Sequence, residues 1–142
     1  MRKLMLPIAA ILLITQQAAA QESKSGKIIR QEGQASYFQA GQDGNTRTKS
    51  GEPVDPKGYT AASRDLPLGS VVTVTNQETG KSVEVRINDR GPTRPDRIID
   101  VSEQAAHDLG MEEAGVAPVV VEADPNKQQD PRIRSQIEAT AQ

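Results

Sequence analysis

The chain has 142 residues, no cysteine, no tryptophan, one histidine and a formal net charge of −2. That length suits one modest domain, and without cysteine there is no disulfide, thiol nucleophile or thiol lipid anchor. The lone His107, with no second histidine beside it, argues against a zinc site, and the missing basic excess argues against nucleic acid as a general partner.

The chain opens like an export leader. Arg2 and Lys3 precede an apolar run over residues 8–14, and Ala18, Ala19 and Ala20 form a small-residue cleavage site. The run is too short to span a bilayer. Residues 1–20 are therefore expected to be removed, leaving a product with no stable membrane anchor. The leader carries two basic residues and no acidic ones, so the charge of −2 falls to −4 on cleavage. Residues 21–32 are polar and read as a linker.

A first short strand is expected over 35–38. Residues 39–58 are rich in glycine and turn formers, without periodicity, and read as one long loop. Long loops in compact domains are often functional. Val71, Val72 and Val74 mark a strand, and residues 83–87 mark its partner across the turn at Gln77-Glu78-Thr79-Gly80. In that partner Val83, Val85 and Ile87 share one face, while Ser82, Glu84, Arg86 and Asn88 share the other. The strand stops at Asp89-Arg90-Gly91-Pro92, where Gly91 permits unusual backbone angles and Pro92 cannot extend a ladder. Asp89 thus reads either as a turn anchor or as a working acid, and the two are compatible.

Another strand is expected over 97–101, then a helix with Ser102 as N-cap, Ala105, Ala106 and Leu109 on its inner face, and Gly110 at its end. A closing strand follows over 116–121. Residues 124–142 are polar and read as a disordered tail with at most a frayed helix. Short strands, glycine and proline turns and little helix indicate a mostly β fold, a compact barrel.

Seven segments follow one another in order: A-S-Y-F, T-K-S-G-E, Y-T-A-A-S-R-D-L-P-L-G-S, V-T-V-T-N, V-R-I-N-D-R-G-P, R-I-I-D-V-S and A-A-H-D-L-G-M. Together they resemble the rare lipoprotein A family over residues 33–123. The resemblance implies a six-stranded double-psi β-barrel with one or two short helices. It also implies lytic transglycosylase activity on peptide-free peptidoglycan strands, with 1,6-anhydro products and no cofactor. Carried over by motif, Asp89 is the expected acid/base, and Glu52 is expected to face it across a groove. Ser63 occupies the family's histidine position, Tyr37 stands where the family has tryptophan, and no lipobox cysteine is present. The product is therefore expected to be unlipidated and periplasmic or secreted.

Asp55 and Asp100 read as turn and cap residues, and His107 as a solvated side chain. Arg86, Arg90, Arg94 and Arg97 form either an internally paired cluster or an anion site. Glycan without peptides bears free lactyl carboxylates, which arginine binds bidentately. The expected ligand contacts are Tyr37, Ser63, Arg64, Arg90, Arg94 and Arg97. Two other readings are a non-catalytic glycan-binding barrel, favoured by Ser63, and a secreted protein-interaction module.

Overall fold

The computed structural model of the protein describes residues 26–39 and 47–141. The expected leader and the middle of the 39–58 loop lie outside the described residues. Six strands close into a barrel: β1 (Ile29–Tyr37), β2 (Thr60–Ala62), β3 (Val71–Asn76), β4 (Ser82–Asp89), β5 (Arg97–Val101) and β6 (Val116–Ala123). Their order around the barrel is β1-β5-β2-β4-β3-β6. β5 runs parallel to β1 and β2 parallel to β4, while the other neighbours are antiparallel. Parallel neighbours cannot be joined by a tight turn. Long connections therefore arch over the barrel ends, and they supply the walls of the site.

Alternation fills the interior as the sequence predicts. Val72 and Val74 of β3, Val85 and Ile87 of β4, and Ile99 and Val101 of β5 are all buried. Small residues bring the strands close. All three residues of β2 are buried, and Gly33 of β1 lies under Ile98, whose Cγ2 would sit 2.7 Å from an added Cβ.

α1 (Glu103–Asp108) is the expected helix. Ser102 Oγ accepts from the Ala105 amide at 3.2 Å and donates to the Gly58 carbonyl at 2.6 Å. The helix ends in a Schellman turn at Gly110, with φ of +70°. There the amides of Gly110 and Met111 bond back to His107 and Ala106.

Two expectations need correction, and one strand went unassigned. The linker assigned to 21–32 is strand from Ile29 onward, paired with β6 from Ile29↔Ala123. Its half-buried face carries Gln31 and Gly33, so the apolar alternation that marks a strand is missing. β2 carried no strand signal, because three residues show no periodicity. Residues 124–142 are not a disordered tail over their described length. Residues Pro125–Lys127 form a 3₁₀ turn and α2 spans Pro131–Thr140. Asp130 caps α2 by accepting from the Arg132 amide, and Ile133 and Ile137, four apart, pack on the core. Buried Gln128 imitates a strand: its amide group accepts from Val71 N and donates to Val71 O, both at 2.8 Å. Two isoleucines and one glutamine anchor the segment, too few to stand out in a polar composition. No helix among the described residues is long and apolar enough to cross a membrane.

Candidate active site

A groove of about 490 Å³ is lined by the last residues of β1, β2 and β4 and by Arg97 and Asp100 of β5. Asp89 is the last residue of β4 and lines it. The Asp89 Oδ1 accepts two backbone N–H groups, Arg90 at 2.8 Å and Lys49 at 3.0 Å. The carboxylate is thus held in place and ties the 47–53 loop to the barrel. A second tie joins the Ser50 amide to the Asn88 carbonyl at 3.1 Å. Gly91, at φ of +138°, turns the chain away immediately beyond.

The opposite wall carries Asp100 of β5. Ala62 of β2 is in register with Asp89 on one side and with Asp100 on the other. Two strand spacings therefore separate their backbones, about 9.5 Å. Ser36 Oγ donates to Asp100 Oδ1 at 3.3 Å. Sequence reading assigned Asp100 to capping, and Ser102 holds the cap instead. The missed signal was alternation: Ile99 and Val101 face the core, which puts Asp100 off that face.

Glu52 does not face Asp89 across the groove. Both of its oxygens accept from Arg86, Nη1 to Oε1 and Nη2 to Oε2, the latter at 2.6 Å. Hydrogen bonds from Arg86 hold this carboxyl below the usual carboxylate range, against an opposing effect of burial. Arg86 points outward on β4, so its partner had to come from a loop that folds over that face. Glu52 and Arg86 line a separate cavity of about 350 Å³ beside the groove. The Glu52 backbone still shapes the site, because its carbonyl accepts from Thr48 N at 2.8 Å and Thr48 Oγ1 at 3.1 Å. These bonds close the turn that presents the Lys49 amide to Asp89.

Ser63 is buried, at 1% exposure, and is not a wall of the groove. Its hydroxyl accepts from Leu66 N at 3.1 Å and Asp65 N at 3.4 Å. It serves the turn after β2, as short hydroxyl side chains commonly do, and replaces the expected ligand contact. Arg64 is likewise a brace: its Nη1 donates to the carbonyls of Pro92 at 2.7 Å and Arg94 at 3.2 Å.

The other expected contacts do line the groove: Tyr37, Arg90, Arg94 and Arg97. Tyr37 donates its hydroxyl to the Glu112 carbonyl at 3.1 Å. Arg90 Nη1 is spent on the Ser63 and Leu66 carbonyls at 3.0 and 2.5 Å. Arg94 and Arg97 share Asp96 at 3.3 and 3.6 Å. The cluster is thus partly self-paired, with Arg94 far more accessible than Arg97. Lys49 and Asn88 also line the groove and were not singled out in the sequence. His107 stands apart on α1, 3.1 Å from Glu112. Among the described residues, no three His, Cys, Asp or Glu side chains gather to hold a metal ion.

Comparison with known proteins identifies the family of the chain. The lytic transglycolase family model matches residues 30–121. A probable endolytic peptidoglycan transglycosylase RlpA of Treponema pallidum is 48% identical over 127 residues, covering 89% of this chain and 38% of that protein. The endolytic peptidoglycan transglycosylase RlpA of Pseudomonas aeruginosa strain PAO1 is 50% identical over 96 residues, covering 68% of this chain and 28% of that protein. The chain thus spans well under half the length of these relatives. Among solved structures, the apo expansin of Clavibacter michiganensis superposes with a TM-score of 0.51 at 25% identity, covering 66% of this chain and 49% of that one. The Streptomyces papain inhibitor gives 0.54 at 19% identity, covering 67% and 93%, a likeness of fold alone.

Proposed function

The chain belongs to the lytic transglycolase family of double-psi β-barrels, and on that premise we propose that it cleaves peptide-free peptidoglycan strands to 1,6-anhydro products, with Asp89 as acid and base. The observation that carries this reading is the groove itself, with Asp89 pinned at its base by two backbone amides and Asp100 on the opposite wall.

In a lytic cleavage, protonated Asp89 gives its proton to the glycosidic oxygen as the bond to C1 breaks. The sugar's own C6 hydroxyl then attacks C1, and the Asp89 carboxylate takes the hydroxyl proton. No water is consumed, and Asp89 returns to its starting form. Charge at C1 is oxocarbenium-like in such transition states. A carboxylate on the far wall stabilises it, which is the role given to Asp100. The separation of about two strand spacings leaves room for one sugar ring between the two. Arg94 and Arg97 on the rim suit the lactyl carboxylates that peptide removal leaves bare. A peptidoglycan substrate places the work outside the cytoplasm, in keeping with the leader-like residues 1–20.

One observation favours a weakened catalyst that mainly binds glycan. Ser63, at the family's histidine position, turns its hydroxyl into the 63–66 turn, and no imidazole lines the groove among the described residues. Incubation of the protein with peptide-free glycan, followed by mass spectrometry, decides between the two: 1,6-anhydro ends support the enzyme, and retention on glycan without them supports the binding barrel.

A further inference from the structure

The cavity beside the groove has a chemistry of its own. Its walls include Glu52, Asp55, Tyr59, Thr60, Arg86 and Asn88. Tyr59 is 46% exposed, one of two exposed large hydrophobic residues among those described. An aromatic ring on a small barrel is normally buried for its large apolar area. Here the ring is held at its far end instead, since Tyr59 Oη donates to Asp108 Oδ2 at 2.7 Å and Gln104 Nε2 donates to the same carboxylate at 3.0 Å. The Tyr59 carbonyl also accepts from the Arg86 amide at 3.0 Å. An oriented, exposed ring over polar groups is the usual composition of a sugar-binding surface: apolar face to apolar face, with hydroxyls bonded at the edges.

The two depressions meet at Asn88, which lines both, and they flank the same loop, with Lys49 on one side and Glu52 on the other. Their charges differ in sign. Among the described residues the groove carries Lys49, Arg90, Arg94 and Arg97 against Asp89 and Asp100. The side cavity carries Glu52 and Asp55 against Arg86 alone, and both guanidinium nitrogens that Arg86 directs there are taken by Glu52. An anionic sugar is attracted to the first and repelled by the second.

We propose that the Tyr59 cavity is a second glycan subsite that takes a neutral N-acetylhexosamine, while the groove takes the neighbouring sugar that bears the carboxylate. The assignment rests on the glycan reading of the groove and extends it. The strand is a strict alternation of neutral and anionic sugars, so two adjoining sites of opposite charge preference fix its register. That register decides which of the two glycosidic linkages lies over Asp89.

The probe is the neutral β-1,4-linked tetramer of N-acetylglucosamine, which has no carboxylate. Titrated into the ¹⁵N-labelled protein, it should shift the amides of Gly58, Tyr59 and Thr60 more than those of Arg94 and Arg97. Tyr59→Ala should weaken binding by about tenfold, and Tyr59→Phe, which keeps the ring, by less than about threefold. The unchanged amide spectrum of each variant away from the cavity reports that it is folded. With peptide-free glycan, Tyr59→Ala should raise KM by about tenfold and leave kcat within about threefold. Tetramer shifts confined to the Arg94 side, or equal tetramer affinity in Tyr59→Ala and wild type, overturn the subsite. If the wild type binds the tetramer at Tyr59 and yields no 1,6-anhydro ends, the subsite stands and the cleavage reading fails. If it cleaves and the tetramer ignores Tyr59, the reverse holds.

Discussion

Asp89 and Asp100 stand on either side of Ala62, each in register with it and both facing one groove. The pairing depends on β2 lying between β4 and β5, parallel to the first and antiparallel to the second. It gives the groove two carboxylates with distinct surroundings: two backbone amides reach Asp89, and the Ser36 hydroxyl reaches Asp100.

Asp100→Asn keeps the shape of that wall and removes its charge. Cleavage of peptide-free glycan should fall by about 10- to 100-fold, with KM changed much less, since the charge acts on C1 in the transition state. Kinetics on the folded variant check this, and a selective rise in KM would make Asp100 a binding residue instead.

The Glu52–Arg86 pair makes a pH prediction. Arg86 holds the Glu52 carboxyl below its ordinary value of 4.5. The folded value lies below the unfolded one, so the pair's contribution is complete above pH 4.5 or so and is lost as pH falls through the lower folded value. Both side chains are 40% exposed, which limits the contribution to under about 1 kcal/mol. Thermal melts of wild type and Glu52→Gln should differ most near neutrality and converge in acid. A gap that stays constant through the acid range would show that the pair is not its source.

Much of this scaffold was legible in the sequence, and the reasons differ by element. β4 and α1 carry complete local signals, Val83-Val85-Ile87 for the strand and Ser102 with Gly110 for the helix ends. The start of β1 and the helix α2 draw their stability from tertiary packing. Gly33 under Ile98, Gln128 on Val71 and Ile137 on the core leave almost no trace in composition. The site divides the same way. Asp89 lies at a strand end that its neighbours announce. The partner of Glu52 is decided by which strand face its loop folds over. Arg64 and Ser63 sit close to the groove in sequence, yet both serve the chain's own backbone.

Ser63→Ala tests that last statement. It leaves the Leu66 amide without its acceptor in a buried turn, which should cost about 1–2 kcal/mol of stability. Glycan affinity should stay within about twofold. Chemical denaturation and a glycan pull-down provide the two readings. Lost affinity at unchanged stability would return Ser63 to the ligand.

The most direct test of the account is the rate of 1,6-anhydro product release by Asp89→Asn against wild type on peptide-free glycan. Asparagine retains an acceptor oxygen for the Lys49 and Arg90 amides, so the 47–53 loop should stay tied and glycan binding largely intact. The account predicts a fall of at least about 100-fold in product release, with binding and melting temperature nearly unchanged. Turnover equal to wild type in that folded variant would contradict it.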